Sequence, residues 1–272
     1  MTFFRLSTEW IIGFIILFMI IGIVNSDEIN LRINSGSSTK NVMTQVVLKN
    51  QEGYILEEGE HVEVYYKPIA EDYKDMIIRM GDLYYPLIAS DFSYDIDKKA
   101  TIILYSTKKD MASELKMSIK DVPMGAYCNG VLSVLSPDLW VDSDNEVVIR
   151  ERFMEDGPVV HELTHLVLDK KVSGKYPLWF TEGVALYYEY KYLNFEWRKD
   201  LSQKAQKISL TTLESSFKAL ENGPAYRKSY EIIKAIVDEY GEDGLQDLIL
   251  NMKSDGNFKK AYVRVFGKNN PW

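Results

Sequence analysis

His161 and His165 stand four residues apart in Pro158-Val-Val-His-Glu-Leu-Thr-His-Leu-Val-Leu-Asp169, a spacing that matches one turn of an α-helix. On a helix that separation stacks both rings on one face, and Glu162, about 100° round from His161, lies beside them. Two neutral imidazoles are borderline-soft nitrogen ligands of the kind Zn²⁺ takes. A carboxylate between them is placed to accept a proton from water that such a metal acidifies. With three histidines in 272 residues, a chance His-Glu-x-x-His has odds on the order of a few in a thousand. The plainer alternative is that the histidines only pack or cap the helix. Against it, Val159, Val160, Leu163, Leu166 and Val167 already supply that helix with apolar surface.

A metal held by two histidines needs a third protein ligand. No histidine follows His165, which excludes the longer HExxHxxGxxH arrangement and leaves a carboxylate from a following helix. Leu178-Trp-Phe-Thr-Glu-Gly-Val-Ala-Leu-Tyr-Tyr-Glu189 offers Glu182 in a helical pattern after the Tyr176-Pro177 turn. Gly183 and Ala185 are small enough to bring this helix close to the first.

The stretches His161-Glu-Leu-Thr-His165 and Trp179-Phe-Thr-Glu-Gly183 resemble the gluzincin metallopeptidases, which include thermolysin, the zinc aminopeptidases and small bacterial peptidase MA-like domains. The resemblance implies peptide-bond hydrolysis, with zinc held by His161, His165 and Glu182 and with Glu162 as general base rather than ligand. This chain departs from the better-known members in the connection: 16 residues separate His165 from Glu182, about two or three fewer than usual, so a shortened loop is expected. Tyr226-Arg-Lys-Ser-Tyr-Glu-Ile-Ile-Lys-Ala-Ile236 resembles the helix that presents a tyrosine hydroxyl to the reacting carbonyl in zinc aminopeptidases, and Tyr226 matches that tyrosine. Among 18 tyrosines, a packing role is the competing reading. Phe258 to Gly267 looks like the closing helix of the small bacterial members, so the resemblance runs from about residue 60 to 267.

Gly125-Ala-Tyr-Cys-Asn-Gly130 is similar, at Gly125, Ala126 and Asn129, to the loop with which zinc aminopeptidases grip a free amino terminus. Those enzymes carry a glutamate where this chain has Cys128. A protonated thiol is a poor partner for an ammonium group, so the departure implies an endopeptidase. In the resembling family the next strand lines the cleft and pairs with extended substrate. Val131 to Leu135 is therefore expected as a peptide-binding edge, with Gly125, Ala126, Val131, Leu132 and Ser133 as substrate contacts. An ordinary central strand is the alternative.

The elements that must position these residues are legible in outline. Residues 60–66 alternate as a strand, 72–87 show helical periodicity and 100–106 return to strand, a βαβ-like opening. A short helix over 109–116, a strand over 130–136 and a helix over 146–155 follow. Pro158 suits the first position of the metal-binding helix, where its missing N–H costs nothing. Beyond Glu189 the pattern is helical, with Thr211-Thr-Leu-Glu214 resembling a capping box and Gly241 and Gly267 marking helix ends. The expected fold is α+β, a thermolysin-like zincin. An N-terminal lobe of sheet plus metal-binding helix and a C-terminal helical lobe would flank a cleft. His61, about 100 residues upstream, reads as structural.

Residues 10–24 form an uncharged apolar run of 15 residues, preceded by Arg5 and followed by Asp27 and Glu28. That is the pattern of a signal segment or a short membrane-spanning helix, and without an Ala-x-Ala-like site an uncleaved anchor is the expectation. The positive charge at Arg5 places the amino terminus inside and the remainder outside the membrane; cleavage would instead give a secreted protein. The expected organisation is an anchor over 1–30, a polar Ser-rich linker and lead-in over 31–55, and the peptidase domain over 56–272.

A hydrophobic fraction of 46 % allows a sizeable core, and a net charge of −8 argues against nucleic acid as a partner, because no basic stripe is available to neutralise phosphates. The expected partners are a peptide or protein substrate and, through the anchor, a membrane. Cys128 is the only cysteine, so no intrachain disulfide stabilises the chain. Two other classes of function stay open at this point. One is a zinc-binding interaction module that keeps the fold without catalysis, although Glu162 then has no chemical purpose. The other is a metal-free helical protein, which leaves the coincidence of the HExxH motif with Glu182 unexplained.

Overall fold

A strand of six residues that are all buried, Ala100–Tyr105, forms the middle of a five-stranded sheet. The computed structural model describes residues 53–172, 176–220, 222–253 and 256–272. In chain order its sheet and helices are β1 (Ile55–Glu58), β2 (Val62–Tyr66), α1 (Glu71–Asp91), β3 (Ala100–Tyr105), α2 (Lys108–Glu114), β4 (Gly125–Cys128), β5 (Val131–Leu135), α3 (Glu146–Asp156), α4 (Val159–Val172), α5 (Leu178–Leu193), α6 (Ser202–Ala205), α7 (Leu210–Ser216), α8 (Asn222–Met252) and α9 (Phe258–Phe266). The result is mixed α and β and mostly helical, with a sheet portion and a helical portion. The chain divides into two compact units, one ending at Tyr85 and taking in Asp97–Leu163, the other Pro86–Ile96 with Thr164–Trp272.

In the first unit the strand order is β1-β2-β3-β5-β4. β2 pairs with β3 in parallel through α1, the βαβ opening that the periodicity predicts, and β3 pairs with β5 in parallel. β1 and β4 run antiparallel to their neighbours and close the two edges. β2 alternates buried and half-buried residues, whereas β3 and β5 are buried throughout, as expected for parallel strands covered on both faces. Asp82 of α1 ties the turn between β1 and β2: its carboxylate accepts the backbone N–H groups of Glu60, His61 and Val62 at 2.9, 2.7 and 3.1 Å.

Residues 125–136 are expected as a loop and one strand, but they form a hairpin, β4-β5, turned by Asn129 (φ 53°) and Gly130 (φ 89°). Two successive positive φ values define the tight turn whose twist matches antiparallel strands, and Asn-Gly is its strongest sequence signal. β5 is therefore internal. Its backbone pairs with β3 on one side and β4 on the other, so Val131, Leu132 and Ser133 offer no open edge to a peptide. The edge lies one strand further out, at β4.

The second unit is helical. α5 is buried along most of its length, and Gly183 lies against α8: a Cβ there would come 2.6 Å from the Ser229 carbonyl oxygen. The close approach that Gly183 permits is thus to α8 rather than to α4. α7 is capped by Ser209, whose hydroxyl accepts the Thr212 N–H at 3.1 Å, two residues before the expected capping box. Gly241 (φ 73°, ψ 177°) leaves helical geometry and separates two helical stretches within Asn222–Met252, and Gly267 (φ 68°) caps α9, both as expected. No helix among the described residues is long and apolar enough to cross a membrane. The apolar run over 10–24 lies outside the described residues.

Candidate metal centre

Helix α4 starts where the sequence places it, its Glu162 N–H bonding to the Pro158 carbonyl at 2.9 Å. Val159, Val160, Leu163, Leu166, Val167 and Leu168 are buried around it, so the helix is enclosed rather than half-exposed. In that setting His161, Glu162, Thr164 and His165 are buried polar groups, an arrangement that costs free energy unless each is given a partner. His161 and His165 share a face, as i, i+4 residues must.

Glu182, in the first turns of α5, completes a cluster. One ligand atom from each of His161, His165 and Glu182 lies within 4.8 Å of the other two, and all three residues are buried. The His165 Nε2 to Glu182 Oε2 distance is 3.7 Å, too long for a hydrogen bond between them. It is close to the roughly 3.4 Å that separates two ligands of one tetrahedral ion with bonds of about 2.0–2.2 Å. Two imidazole nitrogens and one carboxylate oxygen are a donor set suited to a borderline divalent metal, and three protein ligands leave one position open. The residues fit such an ion.

Glu162 is held next to the sheet. A Cβ on Gly125, the first residue of β4, would lie 2.3 Å from Pro158 Cβ and 3.0 Å from Glu162 Oε1. Gly125 and Ala126, expected in a gripping loop, belong to the edge strand that runs beside this carboxylate. The other candidates are placed as follows. Tyr226 is buried in α8, with the ring of Phe217 at 5.2 Å and that of Trp197 at 5.9 Å. It stands one turn before Ser229, where α8 meets the residue after Glu182. His61 lies outside the cluster.

Cys128 ends β4. Burial, and after it the Glu114 carboxylate, pushes its thiol above the ordinary range, so it is uncharged at neutral pH. Sequence reasoning did not single out Arg227, a buried arginine bonded to Glu196 and Glu231. The i, i+4 spacing of Arg227 and Glu231 is visible in the sequence, but Glu196 is 31 positions away.

Residues 149–270 match the peptidase MA superfamily. This stretch, less than half of the chain, is similar to the peptidase domains of that superfamily. No curated protein matches the chain. The matched segment begins within α3 and includes α4 to α9, so it contains His161, Glu162, His165, Glu182 and Tyr226. All five strands precede it.

Proposed function

We propose that this chain is a zinc-dependent metallopeptidase, tethered to a membrane through residues 1–30, whose 56–272 domain cleaves peptide bonds inside extracytoplasmic peptides or proteins. The observation that carries the reading is the buried cluster of His161, His165 and Glu182, with Glu162 on the same helix, inside a segment of the peptidase MA superfamily.

His161, His165 and Glu182 would hold the zinc ion, which supplies Lewis acidity toward water and toward the carbonyl oxygen of the scissile bond. Glu162 accepts a proton from the attacking water as the C–O bond forms and returns it to the leaving nitrogen as the C–N bond breaks. The Tyr226 hydroxyl donates a hydrogen bond to the oxygen on which negative charge develops. An extended substrate adds to the open side of β4, and Gly125 keeps that edge against Glu162. The absence of a carboxylate at position 128 favours internal bonds over the amino terminus. The apolar run over 10–24 and Arg5 support the tether and the outward placement of the domain.

The test separates metal from catalysis. The native protein is expected to carry about one zinc per chain and to cleave members of a broad peptide library. Glu162→Gln should retain the zinc and the fold while hydrolysis falls by about 10²-fold or more. Glu182→Ala should lose most of the zinc. Full zinc content in Glu182→Ala would refute the ligand set, and a zinc-loaded native protein that cleaves nothing would refute the peptidase.

A further inference from the structure

Arg227 follows Tyr226 in α8, and its side chain is 6 % exposed. Its Nε donates to Glu231 Oε1 at 2.8 Å, its Nη2 to Glu196 Oε1 at 2.7 Å and its Nη1 to the Trp197 carbonyl oxygen at 3.0 Å. The guanidinium carbon also lies 4.9 Å from the centre of the Tyr230 ring. Two of these contacts go to consecutive residues of the segment that follows α5. That segment turns at Asn194 (φ 54°) and Arg198 (φ 44°), and Arg198 forks onto Asp200 through Nε at 2.9 Å and Nη2 at 2.8 Å. The segment fixed in this way carries the Trp197 ring that lies beside Tyr226.

We propose that Arg227, Glu196 and Trp197 form a positioning device for Tyr226: the buried arginine holds the segment, the segment holds the indole, and the indole with Phe217 fixes the tyrosine ring. The proposal rests on the role given above to the Tyr226 hydroxyl. A tyrosine has two side-chain torsions, and rings packed against it restrict both, which sets the hydroxyl in advance of any substrate. Burying a guanidinium with two carboxylates gives weak net stabilisation compared with apolar packing. What it supplies is direction, since the planar fork accepts partners only in fixed geometry. Here that geometry is imposed at the turn of α8 that carries Tyr226.

The test uses the full zinc-loaded chain and a fluorogenic peptide selected from the library. Glu196→Gln, Trp197→Ala, Trp197→Phe and Tyr226→Phe are made singly, and the first two are also combined with Tyr226→Phe. Glu196→Gln removes the charge that holds Arg227 while keeping the size of the side chain, which guards against a variant that merely unfolds. Expected are kcat losses of about ten-fold in Glu196→Gln and Trp197→Ala, with KM and zinc content unchanged, and no further loss when either is added to Tyr226→Phe. Trp197→Phe, which keeps a ring, should recover most of the rate.

Losses that multiply in the double variants overturn the positioning role and leave the Tyr226 role standing. Native kcat in Tyr226→Phe overturns both and leaves the metal ligands and Glu162 untouched. A second readout needs no turnover. With fluorotyrosine incorporated, the ¹⁹F resonance missing from Tyr226→Phe belongs to residue 226. It should shift or broaden in Glu196→Gln and Trp197→Ala; an unchanged resonance in both overturns the proposal.

Discussion

A hydrogen atom, where every other residue has a Cβ, is what brings the edge of the sheet against Glu162. At Gly125 a methyl group would come 2.3 Å from Pro158 Cβ and 3.0 Å from Glu162 Oε1, and Pro158 is a rigid ring at the start of a buried helix. Gly125→Ala therefore forces β4 and α4 apart. Overpacking of this kind costs about 1–3 kcal/mol, and moving a catalytic group by roughly 1 Å can lower a rate about 100-fold. The expectation is a lower unfolding midpoint together with a large loss of peptide hydrolysis, at unchanged zinc content. A variant with native midpoint and native rate would show that the contact constrains neither fold nor chemistry. The sequence marks Gly125 for a different reason, its likeness to a loop that grips a substrate's amino terminus. Its contact with Pro158 joins residues 33 positions apart, and no local pattern reports that. His161, Glu162 and His165, by contrast, were fully legible, because helical periodicity converts their spacing directly into proximity.

At the scale of elements, the β4-β5 hairpin decides which strand is exposed. Its turn residues Asn129 and Gly130 both have positive φ, and Gly130, at 89°, is in a region that β-branched residues avoid. Gly130→Val is expected to cost about 1–3 kcal/mol, read as a shift in denaturant midpoint with an unchanged slope. An unshifted midpoint would mean that the turn tolerates other geometry and does not pin the register of Gly125 opposite Val134. Several helices were readable from apolar residues at helical intervals, as over 72–87, or from a recognisable start or stop, such as Pro158 before α4 and Gly267 after α9. The two outer strands were not: β1 is exposed at all four positions and β4 has two buried residues followed by two half-buried ones, so neither shows an alternation to detect, while β5, buried at all five, was legible as a strand but not as an internal one. Without the hairpin, β5 passes for an edge. Asn129-Gly130 was the available signal, and it was absorbed into a supposed binding loop. The cap of α7 was displaced for a milder reason: Ser209 and Thr211 are both plausible capping residues, and only the backbone geometry selects between them.

For the molecule as a whole, which bonds the proposed peptidase would attack depends on the ends of β4 rather than on the candidate metal ligands. At one end Gly125 lies beside Glu162, so that an added Cβ would come 3.0 Å from Oε1; at the other stands Cys128, its thiol held neutral by burial and by Glu114. A neutral thiol is a weak acceptor and cannot neutralise a substrate ammonium, which would be left to water or to another carboxylate. The side of β4 away from β5 forms no ladder among the described strands, so a peptide can add there through backbone hydrogen bonds on both sides of the cleaved bond. Such binding is indifferent to a distant free amine. The expected result with one peptide offered in two forms, free and acetylated at its amino terminus, is kcat/KM values within about a factor of three, since screened charges far from a site contribute under about 1 kcal/mol. The products should be internal fragments by mass spectrometry. Strong preference for the free amine, with release of single residues, would sink the endopeptidase reading. It would then direct attention to Glu114, whose carboxyl burial already shifts upward, as the group supplying the charge that position 128 lacks. In that case Glu114→Gln should abolish the preference while leaving cleavage of the acetylated peptide unchanged.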